Sequence, residues 1–159
     1  MAVKVIGIGN RLYGDDAIGS LVAECLNFYD AEANGFQALS FIKKEDIIFF
    51  IDAMLMDEDY GLFKIDVNKE YEVDISDPHR LSPVQVIFLA KRSGELPSEA
   101  YILAIKPERV DWPGLSERVI QRAEGLFTKY REFLSKYGIE VNPKQLKSCL
   151  KSKEKITWT

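Results

Sequence analysis

The chain runs from "VKVIGI" at residues 3–8 straight into "GNRLYGDDAIG" at residues 9–19. The first segment is short, rich in Val and Ile, and ended by Gly9 and Asn10, which reads as a buried strand. From Asp15 onward the pattern changes. Ile18, Leu21, Val22, Cys25 and Leu26 recur at i, i+3 and i+4, the apolar face of a helix. A strand that turns through glycine into a helix commonly cradles a phosphate on the helix N-terminus. Here the dinucleotide pattern fails, because Gly7 and Gly9 are followed by Leu12 at the third glycine position, and no Gly-Lys-Ser/Thr follows. Asp15 and Asp16 also place fixed negative charge where unpaired amides would attract an anion. No nucleotide is expected. A purely structural alternative has one aspartate as a helix cap and the other as a first-turn acid.

Working outward, "NFYDAEANG" (27–35) leaves room for a very short strand at most, and a helical turn or two follows around 36–44. "DIIFFIDA" (46–53) is a continuous apolar run, the mark of a parallel strand covered on both faces. "YGLFKIDV" (60–67) reads as a further strand at an edge. Ser82 and Pro83 open a helix that Gly94 ends. "EAYILAIKP" (99–107) is the last strand. Ser116 then caps a long amphipathic helix whose apolar stripe runs from Val119 to Tyr137 and whose stop signal is Gly138. Strands alternating with helices predict a three-layer α/β/α sandwich with a twisted, mainly parallel sheet of about five strands.

The 159 residues suit one domain, assigned to 1–141, followed by a lysine-rich tail at 142–159. That tail carries five lysines against one acid, Glu154. Leu146, Cys149 and Leu150 fit one helical turn, enough to dock a short helix but too little to join the main core. A net charge of −4 gives no sign of a nucleic-acid partner. The most apolar window is broken by Asp52 and falls far short of the ~20 residues of a membrane span. Cys25 and Cys149 lie near opposite ends of the chain, so a disulfide is not expected. Cys25 reads as a buried free thiol, and a reducing, cytoplasmic setting fits.

In open α/β sheets ligands bind beyond the carboxyl ends of the strands, and three segments bring polar residues there. Asp16 follows the first strand. Asp52 interrupts an apolar strand at its carboxyl end, where a buried carboxylate is costly unless it is paired, used as a cap or ligated. His79, the sole histidine, sits in the polar segment "SDPHRLSP". A lone loop histidine is often only surface. Together, two carboxylates and an imidazole suit a borderline divalent ion or a water-activating acid–base site.

The same segments carry a family resemblance. "GIGNRLYGDDAIG", "IIFFIDA", "DPHRLSPVQVIFLAKRSGELP" and "ILAIKPERVDWPGLSERV" resemble, in order, four motifs of the endopeptidases that mature nickel–iron hydrogenases. The likeness spans about residues 3–138. It implies a twisted sheet between helices and an enzyme that cuts a C-terminal extension off the hydrogenase large-subunit precursor after nickel insertion. It also implies that the nickel is supplied by the precursor and met by Asp16, Asp52 and His79. One carboxylate, Asp16 or Asp52, would then serve as the catalytic base. Serine or cysteine chemistry is disfavoured, since no nucleophile sits beside a base. The family's "DGGT"-like loop is replaced by "DAEANG" (30–35), with Gly35 kept. Two alternatives stand beside this reading: a non-catalytic factor that recognises the nickel-loaded precursor, and another metal-dependent hydrolase on the same fold.

Overall fold

The computed structural model describes residues 1–70 and 81–154. Strand β1 (Val3–Gly7) enters a single 3-10 turn (Gly14–Ala17) that leads into helix α1 (Ile18–Leu26). Strand β2 is only two residues long (Tyr29–Asp30), and helix α2 spans Gly35–Ser40. Strands β3 (Ile47–Ala53) and β4 (Tyr60–Ile65) come next, then helix α3 (Pro83–Arg92) and strand β5 (Glu99–Ile105). Helices α4 (Glu117–Lys129), α5 (Arg131–Ser135) and α6 (Pro143–Glu154) complete the described chain. The five strands form one sheet in the order β2-β1-β3-β5-β4, parallel except for β4, which runs antiparallel along β5 at an edge.

Alternation along the central strands divides the core into two layers. Val5, Phe49, Ile51, Leu103 and Ile105 face α1, α4 and the C-terminal helices. Ile6, Ile48, Phe50 and Ile102 face α2 and α3. Both faces are therefore covered, which is why β3 reads as an unbroken apolar run. The expected caps are in place: Ser82 and Gln85 form a reciprocal capping box with Pro83 in the first turn, and Ser116 accepts from Val119 N–H. No helix among the described residues is long and apolar enough to cross a membrane.

Three features differ from expectation. The long helix ending at Gly138 is broken at Tyr130, whose φ of −100° and ψ of 16° interrupt the helical run. The bend aims Phe133 and Tyr137 at Phe49 and Tyr101, with Phe49 and Tyr101 stacked at 4.8 Å. Gly138 does end the segment, with φ of +77°. Second, the tail is not peripheral. Leu146 and Leu150 are fully buried within the main core, packed with α1 and α4. Third, Cys25 is not a free thiol: it is disulfide-bonded to Cys149, closing a separation of 124 residues. Pairing became possible because α6 folds back onto α1, so distance in sequence was a poor guide. With the disulfide, cysteine usage no longer argues for a reducing compartment.

Candidate active site

Glycines without room for a side chain set where the turn after β1 lies. A Cβ on Gly19 would fall 2.1 Å from the Ile51 carbonyl and 2.2 Å from that of Ile8, and one on Gly7 would fall 2.1 Å from the Gly19 carbonyl. Helix α1 therefore rests directly on the backbone of β1 and β3. Gly9 does the same for the turn, since its Cβ would sit 2.4 Å from the Asp16 carbonyl. This contact brings Asp16 to the carboxyl end of the sheet. One carboxylate oxygen, Oδ2, accepts from Asn10 N–H at 3.1 Å.

Asp52 reaches the same place from β3, where it pairs in register with Ala104 of β5. It caps no helix: a loop and then β4 follow, and α3 is capped by Ser82. It has no ion-pair partner among the described residues. Both carboxylates line one cleft of about 600 Å³. Ile8, Gly9, Asn10, Tyr13, Ala53 and Val110 are among the other residues that line it. Burial, and then the nearby charge of Asp16, push the Asp52 carboxyl well above the ordinary aspartate range, against a lowering contact with Ala53 N–H.

The adjacent aspartates have separate tasks, and neither is the simple cap suggested by position. Asp15 is completely buried. Its Oδ2 accepts from Glu108 N–H (2.8 Å), Arg109 N–H (3.1 Å) and Ser116 Oγ–H (2.6 Å), while Oδ1 accepts from Ser116 N–H (2.7 Å). It ties the β5–α4 connection to the turn that carries Asp16. The only sequence signal for this was a second acid beside the first. A further unforeseen group flanks the turn. Arg11 donates to Asp30 Oδ2 at 2.7 Å and Ser20 Oγ at 3.0 Å, and Ser20 donates to Asp30 Oδ1 at 2.7 Å. In the departing "DAEANG" stretch Asn34 caps α2, accepting from Phe36 and Gln37 N–H, and Ala33 joins the cleft wall.

His79 lies outside the described residues. Among those described, no cluster of three His, Cys, Asp or Glu residues could hold a metal ion. Cys25 lies on α1 beneath α6, and it does not line the cleft.

No family model matches the chain. A Methanocaldococcus jannaschii protein assigned as a hydrogenase maturation protease is 31% identical over 136 residues, covering 72% of this chain and 78% of that protein. The hydrogenase 2 maturation protease of Escherichia coli is 24% identical, covering 91% of this chain and 98% of that protein. Among solved structures, the hydrogenase maturating endopeptidase HybD of Escherichia coli superposes with a TM-score of 0.68 at 21% identity, covering 88% of this chain and 96% of that one, and so shares the fold. Sequence and fold agree that the chain belongs to the family of endopeptidases that mature nickel–iron hydrogenases.

Proposed function

We propose that this protein removes the C-terminal extension of a nickel–iron hydrogenase large-subunit precursor once nickel has been inserted. In this reading Asp16, Asp52 and His79 meet the nickel that the precursor carries. The observation that bears most weight is the convergence of Asp16, from the turn after β1, and Asp52, from the end of β3, on one cleft. Leu81, which follows His79 closely in sequence, is a wall of the same cleft.

The precursor's nickel docks between carboxylates whose mutual repulsion it relieves, which fixes the scissile peptide beside them. Asp16 or Asp52 then removes a proton from water as it attacks the peptide carbonyl. Asn10 N–H holds one oxygen of Asp16 and so sets the orientation of the carboxylate. Peptide hydrolysis of neither serine nor cysteine type is supported by the chemistry at hand: Cys25 is in a disulfide, and Ser82 Oγ is engaged in capping α3. The setting proposed is the cytoplasm.

The test is to incubate the protein with nickel-loaded and with nickel-free precursor and to measure the precursor's mass. Loss of the extension only from the loaded form supports the reading. Binding of the loaded form without any change in mass identifies a non-catalytic recognition factor. Tight metal binding by the isolated protein, with no effect on precursor, identifies a different metal-dependent hydrolase.

A further inference from the structure

The hydrogen bonds of Asp15 raise a question about the segment they hold. Residues 106–116 contain no helix or strand, and connections of this kind are ordinarily loosely held surface chain. This one is fastened by a fully buried carboxylate through four accepted hydrogen bonds, and the Asp15 N–H donates to the Arg109 carbonyl at 2.8 Å. Gly14, at φ +54°, lies so close beneath that a Cβ would be 2.6 Å from the Trp112 carbonyl and 2.7 Å from that of Arg109. The segment is therefore fixed in place against the turn bearing Asp16.

What it presents is apolar. Trp112 is 65% exposed and Val110 49%, while Leu12 and Tyr13 on the adjoining turn are 71% and 57% exposed. Single exposed apolar side chains are ordinary, but four large ones on two directly bonded segments make a patch. Tyr13 and Val110 also line the cleft that holds Asp16 and Asp52, so both segments border that chamber. An endopeptidase has to hold polypeptide on both sides of the bond it cuts.

We propose that Trp112 and Tyr13, on a rim clamped by Asp15, are specificity-determining residues that grip an apolar stretch of the precursor polypeptide beside the scissile bond. The proposal rests on the endopeptidase reading. Aromatic side chains suit the task, because they offer large rigid contact area and dominate many interfaces. The rim acts in binding and leaves the chemical step to the carboxylates.

The experiment measures cleavage of nickel-loaded precursor over a range of concentrations by wild type, Trp112→Ala, Tyr13→Ala and the double variant. Phe63→Ala, a 44% exposed aromatic on β4, serves as the control. Melting curves establish that each variant folds. The expected result is a KM raised about tenfold by each rim substitution, and more by the pair, with kcat and the Phe63→Ala kinetics unchanged. Wild-type KM in the double variant overturns the proposal while leaving the endopeptidase reading intact. An equal rise in Phe63→Ala overturns it too. A dimeric wild type made monomeric by the double substitution, with KM unchanged, shows that the rim binds a second copy instead. Failure of wild type to cleave removes the endopeptidase reading and this proposal together.

Discussion

Replacing Cys149 with Ser should weaken the fold far more than a surface substitution in a lysine-rich tail would. The disulfide joins residues separated by 124 positions and so restrains most of the chain when unfolded. In the chain-entropy treatment, a closed loop of that length is worth about 5 kcal/mol at 25 °C. For a protein of this size each kcal/mol corresponds to roughly 2–4 °C in melting temperature, so the loss is about 10–20 °C. Removing α6 by truncation after Val141 should cost at least as much. It deletes the bond and also the buried Leu146 and Leu150, each worth roughly 1.5–3 kcal/mol on burial. The assay is thermal unfolding by circular dichroism with and without reductant, with thiol titration showing two free thiols after reduction and none before. Reduction should move wild type onto the Cys149→Ser curve. A melting temperature unchanged by complete reduction would refute the assignment of this bond as a structural clamp. So would titration of two thiols in the oxidant-treated protein.

Three further outcomes follow from the same geometry. Asp52→Asn should raise the melting temperature at pH 7. The native Asp52 carboxyl titrates well above its unfolded value of 3.8, so its ionisation costs stability progressively as pH rises through the native range, and the gain should vanish near about pH 4. Gly19→Ala should destabilise by about 1–3 kcal/mol or more in urea unfolding, because the added methyl meets two backbone carbonyls that have no rotamer to change. Asp15→Asn should lower stability by roughly 1–3 kcal/mol, since an amide donor would then face groups that themselves donate, and Ser116→Ala, which removes one of the four donors, should cost less.

Much of the architecture was written locally. Ser82 with Pro83, Ser116 and Gly138 mark element ends through short-range chemistry, and the run from Ile47 to Ile51 shows a strand buried on both faces. The shared location of Asp16 and Asp52 was legible for a topological reason: parallel strands bring their carboxyl ends, and the turns that follow them, to the same end of the sheet. What was not legible depended on contacts between remote segments. Asp15 is satisfied by residues about a hundred positions away, and Cys25 finds Cys149 only once α6 has folded back over α1. The apolar stripe from Val119 to Tyr137 likewise runs unbroken through Tyr130, where the chain bends and packs Phe133 and Tyr137 on Phe49. The antiparallel direction of β4 left no trace in its own residues.

The central claim is that Asp16 and Asp52 act together on a nickel-loaded precursor. The most direct measurement is the intact mass of that precursor after incubation with wild type, Asp16→Asn and Asp52→Asn in parallel, each variant first shown to melt at or above the wild-type temperature. Wild type should remove the C-terminal extension, and both folded variants should leave the precursor at full length. Removal of the extension at the wild-type rate by either variant would contradict the account, because the cleft those two carboxylates share would then not be where the peptide is cut.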